Sequence, residues 1–394
     1  MSPATGDTLP SPMLTLPTLW PALLLPTTID MLAPQLAALT VTEWTALAAE
    51  AQRQQLAPLL YANLQSLQLD QPAAAPALAT LRAAYKQSSL RAMQREGELR
   101  RLLDALAAQD IRPVVFKGAV LAYTVYPSLG CRPMGDIDLW VTHAEMPAAI
   151  AALEGLGYHL REKAARPHAL TQATDGEVQM HPSQPGQGLV ELHWGVFAGE
   201  WLARTTAIDR TSVRARIVPV TLSGRPAYQL APEDALIQVA VHLGINHQMS
   251  LHPLRGLVDI ALLVQRQPVD WAVVIERACT WRVATVTGLA LALTQACFDL
   301  PELVAPVAAL APTGIQRRML ARFIDKQTIL ERPDLASGKA RFAYLLSVTD
   351  RWRDSLRLLW RTLWPEAHWL AARYGQAGAA VRARHTLNAL RGDI

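Results

Sequence analysis

A strand with alternating carboxylates is the feature that most constrains how this chain of 394 residues folds. Residues 136–141 read Asp-Ile-Asp-Leu-Trp-Val. Because successive side chains of a strand point to opposite faces, Asp136 and Asp138 share one face while Ile137 and Leu139 point into a core. Two carboxylates on one rigid edge can bind a divalent metal, and hard oxygen ligands suit Mg²⁺ or Mn²⁺. The same pattern also describes any half-exposed strand, so alone it does not establish a metal site.

The segment before this strand has the composition of a phosphate site. Residues 113–118 read Pro-Val-Val-Phe-Lys-Gly, which predicts an apolar strand that ends at Lys117-Gly118 and leads into a short helix. Gly118 lets the backbone approach a phosphate at the helix start, where N–H groups and the dipole favour anions, and Lys117 adds a positive charge. The alternative is that Gly118 only begins the helix and that Lys117 is a solvated charge.

A second short strand carries the remaining candidates for chemistry. Residues 189–194 read Leu-Val-Glu-Leu-His-Trp, so Glu191 and His193 lie on one face. We predict that Glu191 is a third carboxylate, which shares a metal with the aspartates or accepts a proton from an attacking hydroxyl. From the residues alone, an ordinary exposed strand residue is the favoured interpretation of Glu191. His193 could contact phosphate, act as a base or be a hydrogen-bonded structural residue.

These motifs together resemble the bacterial family of uncharacterised nucleotidyltransferases, in the DNA polymerase β-like superfamily. The resemblance is carried by four segments, which are Phe116 to Ala119, Tyr126-Pro127, Arg132 to Leu139 and Glu191 to Trp194. Lys-Gly stands here where the wider superfamily has Gly-Ser. The resemblance implies an α+β fold, with a small mixed sheet flanked by helices and further helical regions at both ends of the chain.

The resemblance also implies an activity and assigns the residues that carry it. Asp136, Asp138 and Glu191 would hold Mg²⁺ or Mn²⁺ and form the catalytic set. The nucleotide would be bound by Lys117, Gly118, Arg132 and His193. The implied reaction moves a nucleoside monophosphate group from an NTP, with ATP as the first expectation, to an acceptor and releases pyrophosphate.

The periodicity of the remaining chain divides it into three parts. Residues 1–110 are predicted as a helical region, after an irregular segment 1–30, with helices at 42–67 and 77–108. Residues 111–228 are predicted as the α/β nucleotidyltransferase core, including a loop or hairpin around 181–188 and a hairpin that turns at Ser223-Gly224. Residues 229–394 are predicted as a C-terminal helical domain that begins at the Pro-Glu-Asp sequence 232–234.

One predicted helix of this last part carries polar residues that could line a nucleotide cleft. His242 and Asn246 lie four residues apart and share a helix face, although the same residues could be ordinary structural polar groups. His242 and His247 lie five residues apart, a spacing that points their rings apart on an α-helix. A zinc site formed by these two histidines is therefore not expected.

A C-terminal segment interleaves basic and aromatic residues. In residues 351–364, the apolar positions 352, 356, 359, 360 and 363 form one helical stripe, and Arg353, Arg357 and Arg361 lie elsewhere around the helix. The stripe is typical of a helix that buries Trp and Leu in a core and exposes its arginines, and this is the interpretation we favour. The functional alternative is a helix that binds a membrane surface or nucleic acid.

Composition narrows the partners and the compartment. The excess of 37 basic over 33 acidic residues gives a net charge of +4, too weak to favour nucleic acid as the acceptor. Three cysteines without metal-ligand spacing, together with an N-terminus that lacks a basic signal segment, predict a cytoplasmic protein without a membrane span. The acceptor is expected to be a small molecule, a peptide or a protein. The alternatives are an RNA-directed nucleotidyltransferase and a non-catalytic scaffold that binds a peptide or protein.

Overall fold

The computed structural model describes residues 16–26, 29–161, 176–250, 252–331 and 338–391. Within these ranges, seven strands form one mixed sheet in the order β3-β4-β5-β2-β1-β7-β6. The strands are β1 Val114–Phe116, β2 Asp136–Trp140, β3 Tyr158–Leu160, β4 Glu177–Pro182, β5 Leu189–His193, β6 Val218–Leu222 and β7 Arg225–Gln229. The chain has the α+β architecture that the sequence predicts.

Helices precede, interrupt and follow the sheet. Before β1 these are α1 Leu16–Ala22, α2 Ala33–Ala37, α3 Val41–Arg53, α4 Ala57–Gln65 and α5 Ala75–Ala107. Within the sheet region they are α6 Lys117–Thr124, α7 Met146–Gly155, α8 Glu200–Thr205 and α9 Arg210–Arg214. After β7 they are α10 Pro232–Val241, α11 Pro253–Arg266, α12 Trp271–Thr280, α13 Ala284–Phe298, α14 Val304–Ala309, α15 Gly314–Leu320, α16 Lys326–Glu331, α17 Gly338–Val348, α18 Trp352–Leu363, α19 Ala367–Tyr374 and α20 Ala379–Arg391.

β2 lies at the centre of the sheet, next to both segments that the sequence singles out. It pairs antiparallel with β1, where Phe116 stands opposite Asp138. On its other side β2 pairs parallel with β5, and Asp138 stands opposite Glu191. Since residues opposite each other on paired strands share a face, the sheet brings the two carboxylates together.

The sheet is fixed between helices by an apolar core and by one buried carboxylate. Val115, Leu139 and Leu192 are fully buried in the same apolar cluster as residues of the N-terminal and C-terminal helices. Each side chain of this size contributes about 1.5–3 kcal/mol when buried. The long helix α5, predicted at 77–108, braces the sheet edge because its buried Glu98 accepts hydrogen bonds from the Gly188 backbone N–H, at 2.8 Å, and from the Tyr158 hydroxyl.

The observed elements of the N-terminal region and of the β4–β5 region differ in part from those that the sequence predicts. Residues 16–22 form α1, whereas an irregular segment is expected up to residue 30; residues 1–15 and 27–28 lie outside the described residues. The predicted helix 42–67 is two helices, because Gln55 adopts a left-handed φ of 58° between α3 and α4. The hairpin around 181–188 is confirmed, but its first strand starts at Glu177, before the segment that we assigned.

The favoured interpretation of the Arg/Trp segment is wrong. α18 forms where the periodicity predicts a helix, but its apolar stripe faces outward: Trp352 is 68% exposed, Leu356 54% and Trp360 63%. The buried positions are instead Asp354 and Leu358, which lie on another face of the helix. Among the described helices, none is both long enough and apolar enough to cross a membrane.

Candidate active site

The parallel register of β2 and β5 creates a compact group of ligand atoms. One donor atom each from Asp138, Glu191 and His193 lies within 4.8 Å of the other two. Asp138 and His193 are buried, and the Glu191 side chain is 12% exposed. Two carboxylates and an imidazole are a donor set that can hold one divalent cation. The group contains two of the three carboxylates that the sequence predicts as metal ligands, together with His193; Asp136 as a ligand stays a prediction.

Lys117 reaches this group from a sharp turn between β1 and α6. Its φ of 54° lies in the left-handed region, which costs a non-glycine residue about 1–2 kcal/mol. The turn directs the ammonium group into the site, where Nζ lies 2.6 Å from Asp138 Oδ1 and 3.7 Å from Glu191 Oε2. Burial alone would lower the pKa of Lys117, but the charges of Asp138 and Glu191 raise it above its usual range. A positive charge therefore already lies between the two carboxylates.

The protonation of the group follows from its burial. Burial raises the pKa of Asp138 from 3.8 to about 6, against the opposing effect of Lys117. Burial, together with the charge of Lys117, lowers the pKa of His193 from 6.5 to about 4, so the imidazole is neutral at neutral pH. His193 Nε2 lies 2.9 Å from Asp138 Oδ1, and its ring packs edge-on against Phe116. His193 is thus held rigidly beside the carboxylates.

β4 adds two polar residues to the site that were not predicted from the sequence. Gln179 stands opposite Glu191 and donates a hydrogen bond of 2.7 Å from Nε2 to Glu191 Oε1. Glu177 stands opposite His193, and its Oε2 lies 3.5 Å from His193 Nδ1. The alternation Glu-Val-Gln-Met at 177–180 is the same signal that identified Glu191, but the Pro/Gln/Gly-rich turn that follows it obscured the strand.

Arg132 lies at the site but is committed to an acidic partner. Its Nε and Nη2 donate hydrogen bonds of 2.8 and 2.7 Å to the two carboxylate oxygens of Asp259. Asp259 also accepts a hydrogen bond of 2.7 Å from the Tyr126 hydroxyl. A Cβ atom on Gly118 would collide with the Arg132 guanidinium. The glycine therefore lets Arg132 pack against the start of α6, a function that the sequence did not indicate. The binding of nucleotide by Gly118 and Arg132 stays a prediction.

Asp136 lies at the edge of the group, on the same face of β2 as Asp138. It is partly exposed and borders a small cavity of about 90 Å³. This cavity, hereafter the histidine cavity, is lined among others by Lys117, Arg132, Arg255, His242 and His247 and by the carboxylates Asp136, Asp138 and Asp259. Three basic side chains thus face three carboxylates in it, and its volume is below the roughly 300–1,000 Å³ of sites for whole small molecules.

A π-helical turn changes the geometry of the histidines. Residues His242–Asn246 follow α10 as a π-helix, in which residues five apart fall on one face. The rings of His242 and His247 consequently lie 4.3 Å apart between centroids, so the expectation that they point apart is wrong. Burial lowers the pKa of His242 well below its usual value, with Lys117 adding to the effect. Asn246 does not line the histidine cavity; its Nδ2 donates a hydrogen bond of 3.0 Å to the Ala198 carbonyl oxygen.

A larger cavity of about 420 Å³ lies between the start of β4, helix α8 and the C-terminal helices. We call it the aromatic cavity, because Trp201, Phe342 and Trp369 contribute to its wall. Glu177 lines this cavity and is also the residue next to His193 Nδ1. The two predicted cleft residues are thus divided, with His242 at the histidine cavity and Asn246 at the aromatic cavity.

A family model agrees with the motifs of the sequence. The family model described as "Uncharacterised nucleotidyltransferase" matches residues 40–299, which is more than half of the chain. The chain is also similar to the crystal structure of an antigenic nucleotidyltransferase-like protein from Paracoccidioides brasiliensis, with 15% sequence identity and a TM-score of 0.33 over 54% of this chain and 92% of that one. No curated protein matches the chain.

Proposed function

We propose that this chain, which belongs to the family of uncharacterised nucleotidyltransferases, transfers a nucleoside monophosphate group from an NTP to an acceptor with the help of a divalent metal. The observation that carries the proposal is the placement of Asp138 and Glu191 opposite each other on parallel strands, with the Lys117 ammonium between them. Buried like charges are costly unless a cation compensates them. The site is therefore built to hold positive charge.

Asp138, Glu191 and His193 are the residues that would hold the metal, with Asp136 as a further carboxylate on the same face. The carboxylates suit Mg²⁺ or Mn²⁺, and the imidazole favours Mn²⁺ of the two. A bound metal would supply Lewis-acid stabilisation of the charge on the transferred phosphoryl group. Gln179 orients Glu191 through its 2.7 Å hydrogen bond, so the carboxylate is positioned before any ligand arrives.

Lys117 has two tasks in this proposal. In the structure its ammonium neutralises the carboxylates, at 2.6 Å from Asp138. With these oxygens engaged by a divalent cation, Lys117 would be free to bind the triphosphate in the histidine cavity, where Arg255 and the α6 N-terminus also favour anions. The small volume of that cavity fits phosphate groups, and the nucleoside would then lie outside it.

The acceptor is proposed to occupy the aromatic cavity. In an in-line displacement, the attacking and leaving oxygens lie on opposite sides of the phosphorus. His193 lies between one residue of each cavity: its Nε2 faces Asp138, which lines the histidine cavity, and its Nδ1 faces Glu177, which lines the aromatic cavity. An acceptor hydroxyl could lose its proton to Glu191 while the cavity of about 420 Å³ holds the body of a small molecule or a side chain of a peptide or protein.

The test is nucleotide transfer itself. Wild type, Asp138→Asn and the exposed control Asp70→Asn would be incubated with each NTP, Mg²⁺ or Mn²⁺, and separate small-molecule and protein fractions of a cell extract. We expect metal-dependent pyrophosphate release and a product heavier by one nucleotide in wild type and control, at least a hundredfold less in Asp138→Asn. Equal transfer by Asp138→Asn would overturn the assignment of the site. Absence of transfer, together with thermal stability that no NTP and metal combination changes, would favour the scaffold alternative.

A further inference from the structure

The outward face of α18 is a continuous apolar stripe. Trp352, Leu356, Leu359 and Trp360 are all exposed, and Leu363 continues the line half-buried. Residues three, four and seven positions apart lie on one side of a helix, so these side chains form a single band. Trp364 extends the band at the end of α18, where its ring stacks on Trp360 with centroids 6.2 Å apart.

The helix is fixed to the protein by a different face. Leu358 and Asp354 are buried, and Ser355 Oγ donates a 3.1 Å hydrogen bond to the Leu346 carbonyl of α17. At about 100° per residue, Leu358 lies far around the helix from the stripe. The outward position of the stripe therefore follows from how α18 is anchored.

Two arginines border the stripe on one side. Arg353 and Arg357 lie four residues apart, next to the stripe around the helix, whereas Arg361 turns towards the aromatic cavity and pairs with Glu366. Arg353 and Arg357 are exposed, and the Arg353 guanidinium lies 5.6 Å from the Trp352 ring centroid. From the adjacent helix α20, the Arg382 guanidinium lies 5.1 Å from the Trp364 ring centroid. Positive charge thus lines the same surface as the tryptophans.

We propose that α18 docks this protein on an anionic lipid bilayer, with the helix lying in the interfacial plane. Tryptophan and leucine on one side and arginine on the flank are the pattern of helices that insert an apolar face between lipid headgroups. The arginines match the negative surface potential of anionic lipids. Leu356 and Leu359, in the middle of the stripe, favour a bilayer over RNA, because leucine offers a base neither stacking nor charge.

The experiment is flotation of the full chain with vesicles of phosphatidylcholine, alone or mixed with phosphatidylglycerol, at low and high salt. We expect flotation with the mixed vesicles, weaker flotation at high salt and little with phosphatidylcholine alone. Trp352→Ser with Trp360→Ser should lose more than tenfold in vesicle affinity. Arg353→Gln with Arg357→Gln should lose about fivefold per arginine on anionic vesicles.

The matched control is Leu90→Ser with Met93→Ser, two residues of α5 that are 64% and 67% exposed. It should float like wild type, and thermal melts of every variant should match wild type because all these side chains are at the surface. The proposal is overturned if wild type does not float, or if the Trp variant floats like the control. It is also overturned if the stripe serves only self-association, seen as a dimer that the Trp variant abolishes, or only RNA binding.

Discussion

Replacing Asp138 by Asn is expected to stabilise the metal-free protein while abolishing the proposed nucleotide transfer. The pKa of Asp138 is raised from 3.8 to about 6, mainly by burial. One pKa unit corresponds to about 1.4 kcal/mol, so the ionised carboxylate costs the fold about 3 kcal/mol at a pH well above 6. Asn removes the charge at nearly constant shape, and Lys117 keeps Glu191, at 3.7 Å, as a charged partner. The free energy of unfolding should therefore rise by up to this amount.

The sign of the effect predicts a dependence on pH. Because burial raises the pKa of Asp138 in the folded state, the protonated carboxyl group favours the fold, and this contribution is fully present below the unfolded pKa of 3.8. It is lost as the pH rises through the folded-state pKa of about 6. The gain from Asp138→Asn should therefore be about 3 kcal/mol near pH 7.5 and roughly half as large near pH 5.

The assay is urea unfolding in the presence of a chelator, at both pH values, with Asp136→Asn as control. Asp136 lies on the same strand and face but is partly exposed, so its replacement should change stability little. Added Mg²⁺ or Mn²⁺ should raise the urea midpoint of wild type and not that of Asp138→Asn. A variant that is less stable than wild type near pH 7.5, or a difference that does not change with pH, would refute the argument from buried charge.

Three further predictions concern the groups around Asp138. Lys117→Met should increase metal affinity in titration calorimetry, because the competing ammonium is gone, and should reduce NTP-dependent thermal stabilisation; weaker metal binding would show that Lys117 helps rather than competes. Gly118→Ala should lower the free energy of unfolding by about 2–4 kcal/mol, because its Cβ displaces Arg132 from a buried ion pair. Its control, Gly97→Ala in α5, meets no atom within 4 Å and should stabilise by about 0.5–1 kcal/mol in the same urea assay. Asp259→Asn should cost about 3–5 kcal/mol, because it leaves the Arg132 charge buried without its partner, and a loss below 1 kcal/mol would contradict this.

The part of the site that depends on local alternation could be read from the sequence. Because side chains alternate along a strand, the sequence predicts which face of β2 carries Asp138 and which face of β5 carries Glu191. The parallel pairing of the two strands then brings the two carboxylates opposite each other. The Lys117-Gly118 turn followed from an apolar strand that ends in a helix start. These features are set by neighbours in sequence.

What could not be read depends on partners far along the chain or on irregular backbone. Asp259 lies 127 residues from Arg132, and no local pattern predicts that this pair would occupy the guanidinium. The proximity of His242 and His247 requires a π-turn, which sequence periodicity does not reveal. Periodicity located the stripe of α18 correctly but carries no information on which face of a helix meets the rest of the protein.

The position of α18 couples two environments through one rigid element. Its inward side, with Leu358, Arg361 and Thr362, forms part of the wall of the aromatic cavity, while the opposite side carries the tryptophans. If adsorption to lipid shifts the helix, the shape of the cavity shifts with it. Thermodynamic reciprocity then requires that an occupant of the cavity alter lipid affinity by the same factor by which lipid alters the affinity for that occupant.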